Sequence, residues 1–273
     1  LEVRHADSFS AGLDSLYAQH TDHRTIASRL VYAVSYFVSG EIDFRTLNIV
    51  ANLALPLLLV TLYFMAESSP RRLLLLVPAA LIVLQLRAYG ITFWVMSSFA
   101  YFYVFLYGFL SILLLHKANP LRFAGSAFFA ALASFTLASG QMVWLIGLAS
   151  LMQQVFLRKS LPRHYLIAWL LSAIAILVLW RVGQVERISP SILLQLFFDQ
   201  PGHYVLYTLT LLGNTVSESS VLAAASTGGL LLIGLSACTL ARWRKADLRL
   251  ELCCWFIVLS VATMVLGRGF TSV

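Results

Sequence analysis

"TLNIVANLALPLLLVTLYF", residues 46 to 64, carries no charged side chain in 19 positions. At about 1.5 Å per residue such a run is close to the length needed to cross a ~30 Å hydrocarbon core. The pattern recurs, for example in "YLIAWLLSAIAILVLW" (165 to 180), and the composition agrees, with 60% hydrophobic and 11% charged residues. Soluble domains carry roughly 25% charged residues. The sequence therefore predicts an all-α, polytopic transmembrane helix bundle of about eight spans, near 46–64, 73–87, 99–116, 122–138, 141–157, 165–181, 219–241 and 250–267.

The loops between these runs sort by charge. Arg71, Arg72, Lys117, Arg122, Arg158, Lys159, Arg163, Arg242, Arg244, Lys245 and Arg249 fall in 65–72, 117–122, 158–164 and 242–249. The positive-inside rule assigns those four loops to the cytoplasm and sends both ends of the chain outward. Most acids, including Asp7, Asp14, Asp22, Glu41, Asp43, Glu186, Asp199 and Glu218, then lie on the outer side. The net charge of +7 is spent on loop asymmetry, so no nucleic-acid partner is expected. The expected location is a membrane, crossed several times.

Two units follow: an outer segment 1–45 and a bundle 46–273 with a second outer segment at 182–218. In the first, Ile26, Leu30, Val34 and Phe37 recur at helical spacing while Ser28, Tyr32, Ser35 and Ser39 line another face. That is an amphipathic interfacial helix, and Gly40 is its natural stop. Asn48 and Asn52, four apart, are placed to hydrogen-bond a neighbouring helix or a ligand. In the second outer segment, 189–202 reads as a short helix on the outer surface and 203–213 as an interfacial or re-entrant helix. The chain starts at Leu1 without a signal-peptide pattern and reads as a fragment.

The inner loops are short and lack a Gly-rich phosphate cradle, so nucleotide chemistry at that face is not expected. Three cysteines, Cys238, Cys253 and Cys254, show no metal spacing and read as small span residues. Span interiors nearly free of ionisable groups argue against an ion-coupled transporter. The outer segment is richer. Asp7, Asp14 and Asp22 are candidate general bases for an acceptor hydroxyl. Arg24, Arg29, His20 and His23 are suited to hold the phosphate of a leaving group, with Arg87, Arg181 and Arg268 as further cations. Tyr89, Trp94 and Trp144 are candidate sugar-stacking rings. The plainer readings are a solvated ion-paired loop for Asp22, His23 and Arg24, snorkelling for Arg87 and Arg181, and an aromatic belt for Tyr89 and Trp94. His20, His23 and Asp22 admit a divalent metal, but no motif indicates one, and no other cofactor is expected.

"QHTDHRTIASRLVY" (19–32), "YGITFWVMSSFAYFYVFLYGFLSI" (89–112), "ASFTLASGQMVWLIGL" (133–148) and "GRGF" (267–270) together resemble a group of bacterial inner-membrane proteins similar to GT-C glycosyltransferases, which use polyprenyl-phosphate sugars. The likeness runs nearly end to end through short motifs. It implies a catalytic acid in the first outer loop, at Asp7 first and Asp14 second. It also implies a lipid-linked sugar donor as partner, and an envelope glycan, lipid or protein as acceptor. An O-antigen-type polymerase or ligase shares these needs. The reading from another class is a non-catalytic membrane subunit or a transporter of lipid-linked substrate.

Overall fold

In the computed structural model, residues 16–18, 25–66, 72–84, 89–116, 118–183, 190–214, 216, 220–244 and 247–268 are described. The described residues are helical almost throughout and contain no strand, so the chain is an all-α bundle. Among them, six helical stretches are long and apolar enough to cross a membrane: Phe44–Met65, Val95–Leu115, Ala138–Leu157, His164–Arg181, Val221–Arg242 and Arg249–Leu266.

The first helix, α1 (Ile26–Ser39), turns its faces the opposite way from a helix of a soluble protein. Ser28 is buried and Tyr32 sets its ring edge-on against Phe99 at 5.9 Å, whereas Leu30, Val34 and Phe37 are exposed. An apolar stripe directed away from the protein suits an interfacial helix whose outer neighbour is lipid. Gly40, at φ 77°, supplies the left-handed residue that ends it, as its position in the sequence suggests.

Phe44–Met65 is two helices in line, α2 (Phe44–Asn52) and α3 (Ala54–Met65), meeting at Leu53. Pro56 has no N–H to give to the carbonyl of Asn52, which places the break there. The Asn52 side chain reaches across at this point: Nδ2 donates to Asn48 O at 2.8 Å and to Thr92 O at 2.9 Å. Thr92 closes α5 (Tyr89–Thr92), which follows α4 (Arg72–Val83).

The longest well-buried helix is α6 (Val95–Leu115), against which α2, α3 and α7 (Pro120–Ser134) all pack. After α7 come a 3-10 turn (Ala138–Gln141), α8 (Met142–Met152) and a π turn (Gln153–Leu157). The chain continues through α9 (His164–Arg181), α10 (Pro190–Asp199), α11 (Pro201–Gly213), α12 (Val221–Arg242) and α13 (Arg249–Arg268). Phe256 of α13 lies over Gly108 and meets Phe105 and Phe109 at 5.9 and 6.5 Å, joining the last helix to α6.

The basic loops meet at one end. Arg249 donates to Phe64 O at 3.4 Å, His116 stands 3.5 Å from Asp247, Gln153 Nε2 donates to Trp243 O at 2.7 Å, and Gln154 Nε2 to Leu115 O at 3.3 Å. Asp247 also accepts from Arg249 Nε, and Glu251 from Arg242, each at 2.5 Å. Residues 64, 115, 153 and 243 therefore share a level, and the loops that follow them share a side. We call this the basic end.

This level fixes the course of the chain but changes the expected lengths. Because α3 and α6 both finish at the basic end, the chain must return between them, and again between α6 and α8. The returning helices are α4, of 12 residues with Pro78 inside, and α7, of 15 residues. At ~1.5 Å per residue they are about 18 and 22 Å long, short of a full crossing as helix. The expected span 122–138 is thus a shorter helix completed by the non-helical residues 135–137, while α4 covers 72–83 of the stretch read as 73–87. α7 ends at Ser134, and Phe135 to Leu137 leave the helix; the Ser134 and Thr136 hydroxyls donate to the carbonyls of Ala130 and Leu132, at 2.9 and 2.7 Å.

Candidate functional site

The end opposite the basic loops holds the described members of the expected site. Asp7, Asp14, His20, Asp22, His23, Arg24 and Arg87 lie outside the described residues. Arg29, Trp94, Trp144 and Arg181 are described with their side chains. Tyr89 and Arg268 are described in backbone only, as the first residue of α5 and the last of α13.

Arg29 sits on the first turn of α1 and is half-buried. Its Nη1 donates to Ala18 O at 2.6 Å and to Leu16 O at 3.3 Å. The guanidinium thus ties the short helical piece around Tyr17 to α1, a strapping role beyond the expected phosphate contact. Tyr17 completes the tie: its hydroxyl donates to Leu179 O, and its ring lies 6.5 Å from that of Phe135. Residues 16–18 therefore link α1, the end of α7 and the last turn of α9. Tyr17 was not legible from sequence, where one tyrosine in a polar segment has no distinguishing pattern.

Arg181 closes α9, where a cation complements the helix dipole. It is exposed, at the head of a shallow apolar groove of about 490 Å³ lined also by Ile174, Leu177, Val178 and Val182. All five lining residues belong to the last turns of α9 or follow it directly and are exposed, so the groove is an open apolar face of that helix. An arginine above an apolar track can bind the phosphate and the chain of one lipid together.

Trp94 is exposed at the N-cap of α6, so its ring has a face available at this end. Trp144 does not. It is 4% exposed, its Nε1 donates to Ser134 Oγ at 3.0 Å, and its ring meets Trp169 at 4.6 Å. Trp169, wholly buried, donates in turn to Trp144 O at 2.9 Å. The expectation that Trp144 stacks on a sugar is corrected: both its polar atom and its ring are spent inside the bundle. The helix break at 134–141 put it there, because the turn directs α8 back under α7.

The break has chemistry of its own. Gly140 approaches Ala133 so closely that a Cβ would overlap the backbone carbonyl. Ser260 of α13 donates to Ser139 O at 3.4 Å, and Ser139 Oγ and Gln141 Nε2 are buried without a partner among the described residues.

Two titrations at this end are shifted. Asp43 caps α2, accepting from the Thr46 hydroxyl at 2.5 Å and from Arg45 N–H at 2.9 Å. The Thr46 bond first, and the Arg45 N–H second, hold its carboxyl below the usual range. Burial of the α1 residue Tyr32, whose ring packs edge-on against Phe99, pushes its phenol up. Among the described residues no three His, Cys, Asp or Glu side chains gather as a metal site. Comparison with known protein families, with curated proteins and with solved structures returns no match.

Proposed function

We propose that the chain is an integral membrane glycosyltransferase of GT-C type, which moves a sugar from a lipid-phosphate donor to an envelope glycan, lipid or protein. The working face is the end opposite the basic loops, and by the positive-inside rule it is the periplasmic face of a bacterial inner membrane. The observation that carries the reading is Arg181 above its apolar groove. A lipid-phosphate sugar needs a cation on the departing phosphate, an apolar track for its chain and a base for the acceptor hydroxyl. Arg181 and Ile174, Leu177 and Val178 supply the first two at one place. Exposed Trp94 adds a ring at the same end.

The base is assigned to Asp7, with Asp14 second, in the segment that runs into the Tyr17 strap. Arg24, Arg29 and His23, which follow in the sequence, are assigned to hold the donor phosphate. General-base catalysis contributes typically 10²–10⁴-fold, so Asp7→Asn with Asp14→Asn should lower transfer by about that factor while leaving the protein folded. The measurement is transfer of a radiolabelled sugar from its polyprenyl phosphate in membranes. Arg181→Ala should raise the donor requirement more than Arg181→Lys does. Unchanged transfer in the double aspartate variant would refute the assignment.

A further inference from the structure

Placing α11 within the bundle changes the meaning of a polar stretch that hydropathy assigns to a surface. α11 runs antiparallel to α12, connected through residues 214–220, and also packs against α13. The contact with α12 is a backbone one. A Cβ at Gly213 would overlap Ala224 O and stand 2.6 Å from Gly228 N, and a Cβ at Gly228 would overlap Leu209 O. Gly213 thus lies level with Ala224 to Gly228, near the start of α12 and away from the basic end.

Depth follows from helix rise. α12 has 22 residues, a length of about 33 Å, while Pro201 stands 12 positions before Gly213, about 18 Å further into the bundle. The turn joining α10 to α11 is then roughly 22 Å from the outer end of α12 and about 10 Å from its basic end. That turn is Asp199, Gln200, Pro201, Gly202 and His203, and all five are exposed. His203 Nδ1 and Gln200 Oε1 are 2.9 Å apart, a polar pair formed between residues of the turn itself. Pro201 also removes one backbone donor at the break.

Exposed carboxylate, amide and imidazole groups are costly in hydrocarbon, and irregular backbone occurs at that depth only inside protein or beside water. We propose that residues 190–213 form a re-entrant hairpin whose tip, 199–203, stands in an aqueous vestibule opening at the basic end. The shorter path to water, about 10 Å against 22 Å, sets the direction. The vestibule admits water and small hydrophilic solutes to the inner third of the bilayer, and Asp199, Gln200 and His203 line it as hydrogen-bonding groups. This inference stands whether or not the chain is a glycosyltransferase.

The test is sided cysteine labelling of the full chain in sealed vesicles, with Cys238, Cys253 and Cys254 replaced by alanine. Gly202→Cys is the probe, because a Cβ there meets nothing within 4 Å, and Gln200→Cys is the second. Arg158→Cys marks the basic end and Glu41→Cys the opposite one. A membrane-impermeant methanethiosulfonate should label both probes from the side that labels Arg158→Cys, at least tenfold faster than from the other. Labelling from the Glu41→Cys side would place the tip at that surface, and labelling only after detergent would place it in lipid or protein; either result overturns the proposal.

Discussion

The closeness of α11 to α12 makes a sharp prediction, because two adjacent glycines on α12 stand in opposite surroundings. A Cβ at Gly228 meets the backbone of Leu209 and Gly213, with the carbonyl carbon of Leu209 at 2.9 Å and its oxygen nearer still. A Cβ at Gly229 meets nothing within 4 Å. Ordinary contact begins at 3.4 Å, so Gly228→Ala forces the two backbones apart by at least about 0.5 Å, and no flexible side chain is there to yield. Overpacking of this kind typically costs 1–3 kcal/mol. Gly229→Ala removes a helix-weakening glycine and should be neutral or slightly stabilising, by up to about 1 kcal/mol. Melting in detergent, followed by tryptophan fluorescence, should therefore separate two variants of identical composition, with Gly228→Ala lower by several degrees. Gly213→Ala should behave like Gly228→Ala. Equal melting of the two α12 variants would refute the packing and, with it, the depth assigned to the 199–203 turn.

Trp169→Ala should cost about 3–5 kcal/mol in the same assay, since it empties a fully buried site and removes the bond to Trp144 O. Trp94→Ala, by contrast, should leave melting within about 0.5 kcal/mol of the parent, because the ring is exposed. Asp43 gives a pH signature: its folded pKa lies below the unfolded value, so its contribution is present above the unfolded pKa and is lost as pH falls through the folded one. Asp43→Asn should flatten the melting profile over that acidic window, and an unchanged profile would count against the cap. Asp247→Asn weakens both the 2.5 Å contact to Arg249 and the 3.5 Å contact to His116. Proteolysis of the 242–249 loop should be faster in that variant, whereas activity at the opposite end should persist.

Much of the architecture was legible because membrane physics leaves few options. Charge-free runs gave the long helices, and the four basic loops, chosen only by the sign of their charge, prove to share one end. Local chemistry was readable too: Gly40 ends α1, and Asn52 reaches across to Thr92. Helix length was not readable: α7 stops at Ser134, within the stretch read as the span 122–138. Pro78 is accommodated inside α4 without ending it.

The site was harder to read, because sequence reports the kind of side chain and not its neighbours. Trp144 and Trp94 look alike as aromatic residues near span ends, yet one is packed on Trp169 and the other is exposed. Arg29 and Arg181 look alike as outer cations, yet Arg29 straps the backbone of Leu16 and Ala18 while Arg181 overlooks an apolar groove. Depth is the quantity hydropathy reads least well. "DQPGH" at 199–203 is polar enough to be taken for a surface loop, but Gly213 and Gly228 bring α11 against the backbone of α12 and carry the stretch inward. Small residues at a close helix contact leave no mark in a hydropathy profile. They are nevertheless what decides whether Asp199 and His203 face a surface or the inner third of the bilayer.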